Sequence, residues 1–279
     1  MINFTIISRL SKLTLFTALA VILCTGCATT KTGAVKQGNV IVNEISNVKL
    51  HSFMSVSVTP VIIESDKLII IDFPGDSKEN AELFKKYVDG LNKPIERYFI
   101  SHIHSAHWQG VEKLFTGMTF HSVDADAIKA TKEGAGLSIM PITDGSKMTV
   151  NGIQLVFDVD REIEAWMIKL PKLKAVYVDH LGYIDLHVLI APLEPRLVHL
   201  RKLAREGYTW YMPGHGAPMQ NPDFLNQVEA YYKDVLEIVK KYRTIPEVRT
   251  AILEKYPNYA SPARLDRMLP GLTQWYWKN

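Results

Sequence analysis

The feature that most constrains this chain is a run of three histidines, His102, His104 and His107, which directly follows the apolar residues 98–100. A strand of that kind carries the histidines out of a buried sheet and into the loop at its end. Two histidines that are two residues apart can point the same way there, and the third can reach in from the next turn. Imidazole nitrogens that converge on one point are suitable ligands for zinc. The spacing therefore predicts a metal site at the end of this strand.

Two later segments place further ligand-type residues after apolar runs. Asp179 ends the run 176–178, and His215 stands in a Pro-Gly-His-Gly segment after the run 208–212. Three strands that each end in a metal-competent residue predict one shared site. Accidental clustering is the alternative, because short motifs produce false matches. Three other histidines lie in ordinary amphipathic surroundings and are not expected to be ligands: His51, His121 and His199.

The composition is that of a globular protein. Of the chain's 279 residues, 47% are hydrophobic and 22% are charged. A chain of this length can form one large hydrophobic core or two small ones. The net charge is +3, and Arg9 and Lys12 near the N-terminus supply two of those charges, so a nucleic-acid partner is not expected. Both cysteines, Cys24 and Cys27, precede the body of the chain, which excludes a disulfide framework and a thiolate ligand there.

Residues 1–27 predict an export signal that ends in a lipobox. Residues 13–23 form an apolar stretch that suits a secretory signal and is too short to span a membrane. Gly26 before Cys27 resembles a bacterial lipobox, in which the cysteine becomes the lipidated first residue. Cys24 stands where leucine is usual, and a plain cleaved signal or a disulfide between the two cysteines are the alternatives. The expectation is a lipoprotein of the bacterial cell envelope, held on a membrane through Cys27 and facing the periplasm or in the outer membrane.

The rest of the chain divides into a short tether and one domain. Residues 28–44 are small and polar and predict a flexible tether, and residues 45–279 form the predicted domain. β-branched runs between 48 and 72 predict a meander of antiparallel strands. Residues 77–91 have helical spacing, with Ser77 as the N-cap. The second half repeats strands and then helices, which predicts two sheets packed face to face with helices outside.

These landmarks resemble the metallo-β-lactamase fold family over residues 45–220. The resemblance rests on the apolar run that ends in Asp72, on the His-x-His-x-x-His-x-x-Gly segment from His102 to Gly110, on Asp179 and on the Gly-His-Gly around His215. It implies the α/β class, a four-layer αββα sandwich of two mixed β-sheets with outer helices, and a zinc site at one sheet edge. Such proteins are mostly hydrolases of esters, lactones, thioesters, amides, sulfate esters or phosphodiesters.

The chain departs from the family pattern at two places. Ala106 stands where the family has a metal-binding aspartate directly before the third histidine. The histidine expected about fifty residues later is missing, and an acidic segment takes its place. An oxygen ligand from that segment would suit zinc, iron or manganese, although surface charges are the alternative. The carboxylates that could supply the ligand are Asp158, Asp160 and Glu164.

The segment from Asp179 to His187 is similar to a less-studied branch of the same family. In that branch an acidic segment replaces the middle histidine, and Asp-x-x-x-Tyr-x-x-x-His follows. The similarity implies that Tyr183 and His187 face the pocket and act in catalysis with Asp179. Either side chain could donate to a developing oxyanion, an interaction of about 3 kcal/mol. His180 could face the same pocket or point away from it.

The resemblance implies one or two metal ions, with zinc first and iron or manganese as alternatives. One site would use His107, His215 and Asp179, and the other His102, His104, the shared Asp179 and one of the acids. The function it implies is a metal-dependent hydrolase that uses metal-bound hydroxide on an ester, lactone, thioester or similar bond of a small molecule. The alternative is a catalytically inactive metal- or ligand-binding lipoprotein that keeps the fold, which Ala106 and the missing histidine favour.

Overall fold

A computed structural model describes residues 35–37, 39–55 and 57–278. The predicted export signal lies outside the described residues. All described residues belong to one compact unit. Within this part of the chain, no helix is both long enough and apolar enough to cross a membrane.

The first sheet has eight strands in chain order, and it confirms the predicted meander. The strands from β1 to β5 are antiparallel, and those from β5 to β8 are parallel. Their bounds are β1 Val35–Gln37, β2 Val40–Ile45, β3 Val48–Phe53, β4 Val61–Glu64, β5 Leu68–Ile71, β6 Ile95–Phe99, β7 Phe120–Ser122 and β8 Ile139–Pro141.

The second sheet has six strands in the order β14-β13-β12-β11-β10-β9. All neighbours are antiparallel except β12 and β13, which run parallel. Their bounds are β9 Lys147–Val150, β10 Ile153–Asp160, β11 Ala165–Leu170, β12 Ala175–Asp179, β13 Trp210–Pro213 and β14 Met219–Gln220. Both sheets are therefore mixed, as predicted.

Seven α-helices accompany the sheets in the described part of the chain. The cap of α1 is the predicted one, because the Ser77 side chain accepts a hydrogen bond from the backbone of Asn80 at 3.1 Å. The helices are α1 Lys78–Gly90, α2 Val111–Leu114, α3 Ala125–Lys129, α4 Leu193–Arg205, α5 Asp223–Lys241, α6 Ile245–Lys255 and α7 Pro262–Lys278. Short 3-10 helices lie at Ser105–His107 and Pro171–Leu173.

Three apolar clusters define four layers. One cluster joins the sheets, with residues such as Ile63 and Ile69 from the first sheet against Leu155 and Tyr177 from the second. A second cluster joins the first sheet to α1, α2 and α3. A third joins the second sheet to α4, α5, α6 and α7. The molecule is thus an αββα sandwich of the α/β class, because each sheet buries one face on its partner and the other under helices.

Two segments differ from the prediction. The range predicted as a tether, 28–44, already contains β1 and most of β2, and β2 pairs with β3 over six residues. No helix was predicted at 262–278, where α7 forms although Pro270 lies inside it. Leu265, Leu269 and Leu272 of α7 are buried in the helical core, and this packing outweighs the local cost of the proline.

Candidate metal centre

The ends of parallel strands bring the site residues to one edge of the sandwich. β6 leads into the histidine loop, β12 ends in Asp179, and β13 leads to His215. The backbone of Asp72, just after β5, donates to the carbonyl of Phe99 at 2.9 Å, and that of Gly214 donates to the carbonyl of Asp179 at 3.0 Å. Ligand-type side chains that are far apart in sequence therefore lie side by side, as expected at the carboxyl ends of parallel strands.

Four buried residues form a cluster with the donor set of a metal site: His102, His107, Asp179 and His180. One ligand atom from each lies within 4.8 Å of the others. We call this set the buried ligand cluster. Sequence reasoning proposed the first three as ligands and left the direction of His180 open. The structure turns His180 inward, next to the carboxylate of Asp179, with 3.7 Å between Nε2 and Oδ1.

The hydrogen bonds of His102 and His107 leave one nitrogen of each ring available for a ligand. His107 Nδ1 donates to Asp72 Oδ2 at 2.8 Å. The Ser101 hydroxyl donates to the same carboxylate, so it accepts from His102 Nδ1 at 2.8 Å. Each Nδ1 therefore carries the proton, and each Nε2 carries a lone pair. Both Nε2 atoms are buried and have no hydrogen-bond partner among the described residues.

The contacts of His215 set the position of the proton on the ring of His180. His215 Nδ1 lies against the backbone carbonyl of Ser57, which can only accept, so Nδ1 carries the proton. His215 Nε2 is then an acceptor for His180 Nε2, which lies 3.1 Å away. This leaves the lone pair of His180 on Nδ1, which is buried and unpartnered in the described structure. Each of the three cluster histidines thus has one buried ring nitrogen without a hydrogen-bond partner among the described residues.

Asp179 has the properties of a carboxylate placed for a cation. It is fully buried, and neither carboxylate oxygen has a hydrogen-bond partner within the described residues, although His102 Nδ1 lies 2.9 Å from Oδ2. Burial raises the pKa of Asp179 to about 8, because a charged carboxylate is costly there. A metal ion would release that proton and neutralise the charge. Gly214 leaves room for the group, since a Cβ there would overlap with Asp179 Oδ1.

The histidines around Asp179 have their pKa values lowered, with one exception. Burial, and then the neighbouring imidazoles, lower the pKa of His102, His180 and His215 well below 6.5. Neutral imidazole is the form that binds metal. Burial also opposes protonation of His107, but the Asp72 carboxylate outweighs burial and raises its pKa. The cluster offers three imidazoles and one carboxylate, each with an atom that has no hydrogen-bond partner in the described structure. This set of donors fits a divalent cation with nitrogen and oxygen ligands.

Asp72 is the site residue whose role sequence reasoning missed. It served only as a landmark at the end of an apolar run, yet its carboxylate accepts from His107, from the Tyr177 hydroxyl and from both the backbone and the side chain of Ser101. It is fully buried, with a φ of 63°. Such a partner fixes the orientation and tautomer of a ligand histidine. The sequence feature that could have identified Asp72 is its position, as a carboxylate directly after an apolar strand that is fully buried.

Three predicted site residues lie around the cluster rather than in it. His104 is exposed, with its ring 4.7 Å from that of His102 and 5.3 Å from that of His180. His215 is half-buried, and its ring lies 5.2 Å from that of His107. Tyr183 is buried, with its ring 5.6 Å from that of His215 and with its hydroxyl unpartnered among the described residues.

The other predicted site residues lie elsewhere. Asp158 pairs with Lys169 at 2.6 Å, and Asp160 pairs with His199 at 2.8 Å. Glu164 is exposed just before β11, and neither it nor the two aspartates is in the buried ligand cluster. His187 is buried against tyrosines of the helical layer, where its Nδ1 forms a hydrogen bond with the Tyr231 hydroxyl at 3.0 Å. The structure therefore does not bring these four residues to the cluster.

Trp166 covers the side of the cluster where the acidic segment was expected to contribute. It stands on β11 opposite Val159, and its ring stacks on that of His102 with centroids 4.6 Å apart. Because side chains alternate along a strand, Asp158 and Asp160 lie on the opposite face of β10 from Val159, where they pair with Lys169 and His199. The fourth donor of the cluster comes instead from His180, directly after Asp179.

Comparisons with known proteins agree with this architecture. No protein-family model matches the chain, and no curated protein matches it in sequence. Among solved structures, it is similar to a metallo-beta-lactamase from Pontibacter korlensis, with 19% identity, a TM-score of 0.55 and coverage of 70% of this chain and 99% of that one. It is also similar to a metallo-beta-lactamase family protein from Thermus thermophilus, with 14% identity, a TM-score of 0.55 and coverage of 78% and 91%.

A third similar structure is the metallo-beta-lactamase FIM-1 from Pseudomonas aeruginosa in its mono-zinc form. Its identity is 17%, its TM-score is 0.51, and the match covers 71% of this chain and 97% of that one. At these identities the likeness shows the fold. The chain therefore has the metallo-β-lactamase fold, with a buried His/Asp cluster that could hold a metal ion.

Proposed function

We propose that this protein is a metal-dependent hydrolase whose metal ion is held by the buried ligand cluster. One observation carries the proposal. Four buried residues present ligand atoms within 4.8 Å of one another, and each has at least one nitrogen or oxygen without a hydrogen-bond partner in the described part of the chain. Leaving several buried polar atoms unpaired costs about 1–3 kcal/mol each, so a cation that pairs with all of them accounts for their retention.

Zinc is the ion that three imidazoles and one carboxylate favour, and iron or manganese are the alternatives. His102, His107, Asp179 and His180 would hold one ion. His215 and His104, whose rings border the cluster, are the candidates for binding a second ion or for completing the first site. When bound, such an ion polarises a carbonyl or phosphoryl oxygen and makes water acidic enough to attack near neutral pH.

The chain's own residues would supply orientation and hydrogen-bond donors. Asp72 fixes the ring of His107, and the Ser57 carbonyl fixes that of His215. Burial raises the pKa of Tyr183 well above 10, so its hydroxyl stays protonated as a donor. A donor of this kind beside the site could stabilise an oxyanion as negative charge develops on the substrate. The reaction class is hydrolysis of an ester, lactone, thioester or similar bond in a small molecule.

A binding protein that keeps the fold but does not catalyse is the second candidate. Ala106 removes the carboxylate that the family pattern places before His107, and the acids of β10 face Lys169 and His199 instead. No carboxylate other than Asp179 belongs to the buried ligand cluster among the described residues. Water would then lack a second carboxylate to orient it, which favours binding without turnover.

Metal analysis tests the first proposal. Elemental analysis of the purified protein after dialysis should find about one or more metal ions per chain, or uptake to that level on adding zinc. His180→Ala should weaken zinc binding about ten- to a hundredfold in a competition titration, because it removes one of four ligands. His199→Ala is the matched control, since His199 pairs with Asp160 away from the cluster and should leave zinc affinity unchanged.

Well under one ion per chain, with no uptake of zinc, iron or manganese, would contradict the proposal. Equal losses in the His180 and His199 variants would show that the cluster is not the site. Turnover is then measured on ester, lactone, thioester, sulfate ester and phosphodiester substrates. A protein that binds metal tightly and hydrolyses none of them would favour the binding-protein candidate.

A further inference from the structure

We propose that Arg196 of α4 is a positioning residue of the metal centre, and that it holds the imidazole of His180 in the buried ligand cluster. Arg196 acts through the backbone of the loop that carries this histidine and is not itself a ligand. The inference rests on the proposed function, because His180 belongs to the proposed metal site. It adds the residue that gives this ligand a fixed position.

The loop between β12 and α4 carries His180, and regular secondary structure does not fix its position. Residues 180–192 contain neither a helix nor a strand in the described structure, apart from the isolated bridge at Leu186. The ring of His180 has one hydrogen bond among the described residues, between its Nε2 and His215 Nε2 at 3.1 Å. A contact between two side chains does not by itself fix the backbone from which one of them extends. The position of His180 therefore depends on what holds this loop.

The guanidinium of Arg196 holds the loop near both of its ends. Its Nη1 donates to the carbonyl of His180 and its Nε donates to the carbonyl of Ile190, each at 2.8 Å. The donors of a guanidinium stand in one plane at fixed angles. One rigid group therefore sets the separation of the two carbonyls, and with it the path of the loop after β12.

The burial of Arg196 favours a positioning role over simple packing. The side chain is fully buried on a helix whose neighbouring buried residues are leucines: Leu193, Leu197 and Leu200. Both of its hydrogen bonds go to uncharged carbonyl oxygens, and its Nη2 has no hydrogen-bond partner among the described residues. Burying a charge without a carboxylate partner is costly, so an apolar side chain would pack here at lower cost. Holding the loop explains why a guanidinium stands at this position.

Close packing at Gly182 shows that the loop cannot adapt freely. A Cβ at Gly182 would lie 3.1 Å from Leu200 Cδ1 and 3.1 Å from Val228 Cγ1. Leu200 is about one helical turn beyond Arg196 and lies on the same side of α4. Little free space separates the loop from the helices there, so a change in the Arg196 contacts would shift the loop and the histidine that it carries.

Zinc affinity tests this role. Arg196→Lys keeps the charge, but an ammonium group cannot reproduce the planar fork of donors. We expect it to weaken zinc binding by the full-length protein about ten- to a hundredfold in a competition titration, as the loss of an outer contact to a metal ligand does. Arg201→Lys is the matched control on the same helix. Arg201 is exposed and pairs with Glu229 at 2.6 Å, so its replacement should change zinc affinity by less than about twofold.

A double variant separates positioning from a general loss of stability. If Arg196 acts through His180, replacing it has little left to disturb once that histidine is gone. In the His180→Ala background, Arg196→Lys should therefore lower zinc affinity by less than about twofold further. Losses that multiply in the double variant, or zinc binding by Arg196→Lys that equals the parent's, would overturn the inference.

Thermal unfolding is measured on every variant in the metal-free form. If Arg196→Lys does not fold, Arg196→Gln replaces it in both titrations. Failure of both variants to fold would show that Arg196 supports the whole fold, and it would overturn the assignment of a role at His180.

A measurement without metal separates this inference from the proposed function. Nitrogen-15 NMR of the metal-free protein reports which ring nitrogen of His180 carries the proton, and His180→Ala identifies its signals. We expect a single tautomer, with the proton on Nε2 toward His215, in the parent and in Arg201→Lys, and a mixture of tautomers in Arg196→Lys. A parent that takes up no zinc but shows this dependence would sink only the proposed metallohydrolase. The same tautomer in all three proteins would overturn the inference.

Discussion

At the scale of single residues, the site depends on where protons are held. The Asp72 carboxylate and the Ser57 carbonyl each fix an imidazole proton on Nδ1, in His107 and His215 respectively. A ring nitrogen of His107 lies within 4.8 Å of the Asp179 carboxylate, which has no hydrogen-bond partner among the described residues, and His215 Nε2 lies 3.1 Å from His180 Nε2. Outer contacts of this kind orient metal ligands, and their loss typically lowers metal affinity or activity about ten- to a hundredfold.

Replacing Ala106 tests whether residue 106 borders a second metal site. It is half-buried in the short 3-10 helix directly before His107. We expect Ala106→Asp to add an oxygen ligand beside that histidine and to tighten binding of a second zinc ion by about tenfold or more. Zinc titration with a chromophoric competitor measures this, and Ser105→Asp, at the exposed neighbouring position, is the control. Unchanged stoichiometry and affinity in Ala106→Asp would place residue 106 outside the second site.

At the scale of elements, a polar network ties β3 and β4 to α1 on the helix-covered side of the first sheet. His51 donates from Nε2 to Glu64 at 2.8 Å and accepts from the Tyr87 hydroxyl at 2.7 Å, while Lys93 pairs with Glu64 at 2.6 Å. Burial would raise the pKa of Glu64, but the hydrogen bond from Lys93, the interaction with His51 and the charges of the nearby lysines together outweigh it and hold the pKa below 4.5. The network therefore stabilises the fold while Glu64 is ionised.

Glu64→Gln should lower the free energy of unfolding by about 1–3 kcal/mol at neutral pH, because it leaves His51 and Lys93 poorly paired. A carboxyl with a depressed pKa contributes stability that is present above pH 4.5, its ordinary value, and is lost as the pH falls through its lower folded value. The difference from the parent should therefore shrink in acid. Denaturant unfolding at several pH values measures it, with Glu96→Gln in the more exposed pair with Lys67 as control. A difference that is constant with pH would contradict the assignment.

At the scale of the whole molecule, the two sheets and their helices make one compact unit. The segment before it contains both cysteines and the predicted lipobox. We propose that the domain is held at the surface of a bacterial membrane through a lipid on Cys27, where it would meet small-molecule substrates in the periplasm. The support for this proposal is the sequence of the first 27 residues, with its basic start, short apolar stretch and Gly26 before Cys27.

Cys27→Ser should release the protein from the membrane fraction into the soluble fraction of cells that express the full chain. Cys24→Ser is the matched control, because Cys24 would be removed with the signal and should leave membrane attachment unchanged. Fractionation followed by immunoblotting measures both variants. If Cys27→Ser remains in the membrane fraction, the lipobox interpretation is wrong.

The sequence by itself determined the order of strands and helices and most of the ligand-bearing strand ends. The meander between residues 48 and 72 and the cap at Ser77 follow from side-chain alternation and local hydrogen bonding, which act over a few residues. The same local patterns placed three sets of candidate ligands at strand ends: the histidines after β6, the aspartate at the end of β12 and the histidine after β13. The end of a strand fixes where the residues that follow it leave the sheet. α7 was missed because Pro270 lowers its local propensity while distant packing stabilises it.

Only the tertiary structure decided which side chains meet. Local pattern did not fix whether His180 points inward, that Asp72 holds His107, or that Trp166 covers the side where an acid was expected. These outcomes depend on contacts between strands that are distant in the chain, such as Tyr177 with Asp72 and β11 with the histidine loop. On β10, Asp158 and Asp160 lie on one face and Val159 on the other, and the pairing of β10 with β11, which sets Val159 opposite Trp166, decides which face lies beside the histidine loop.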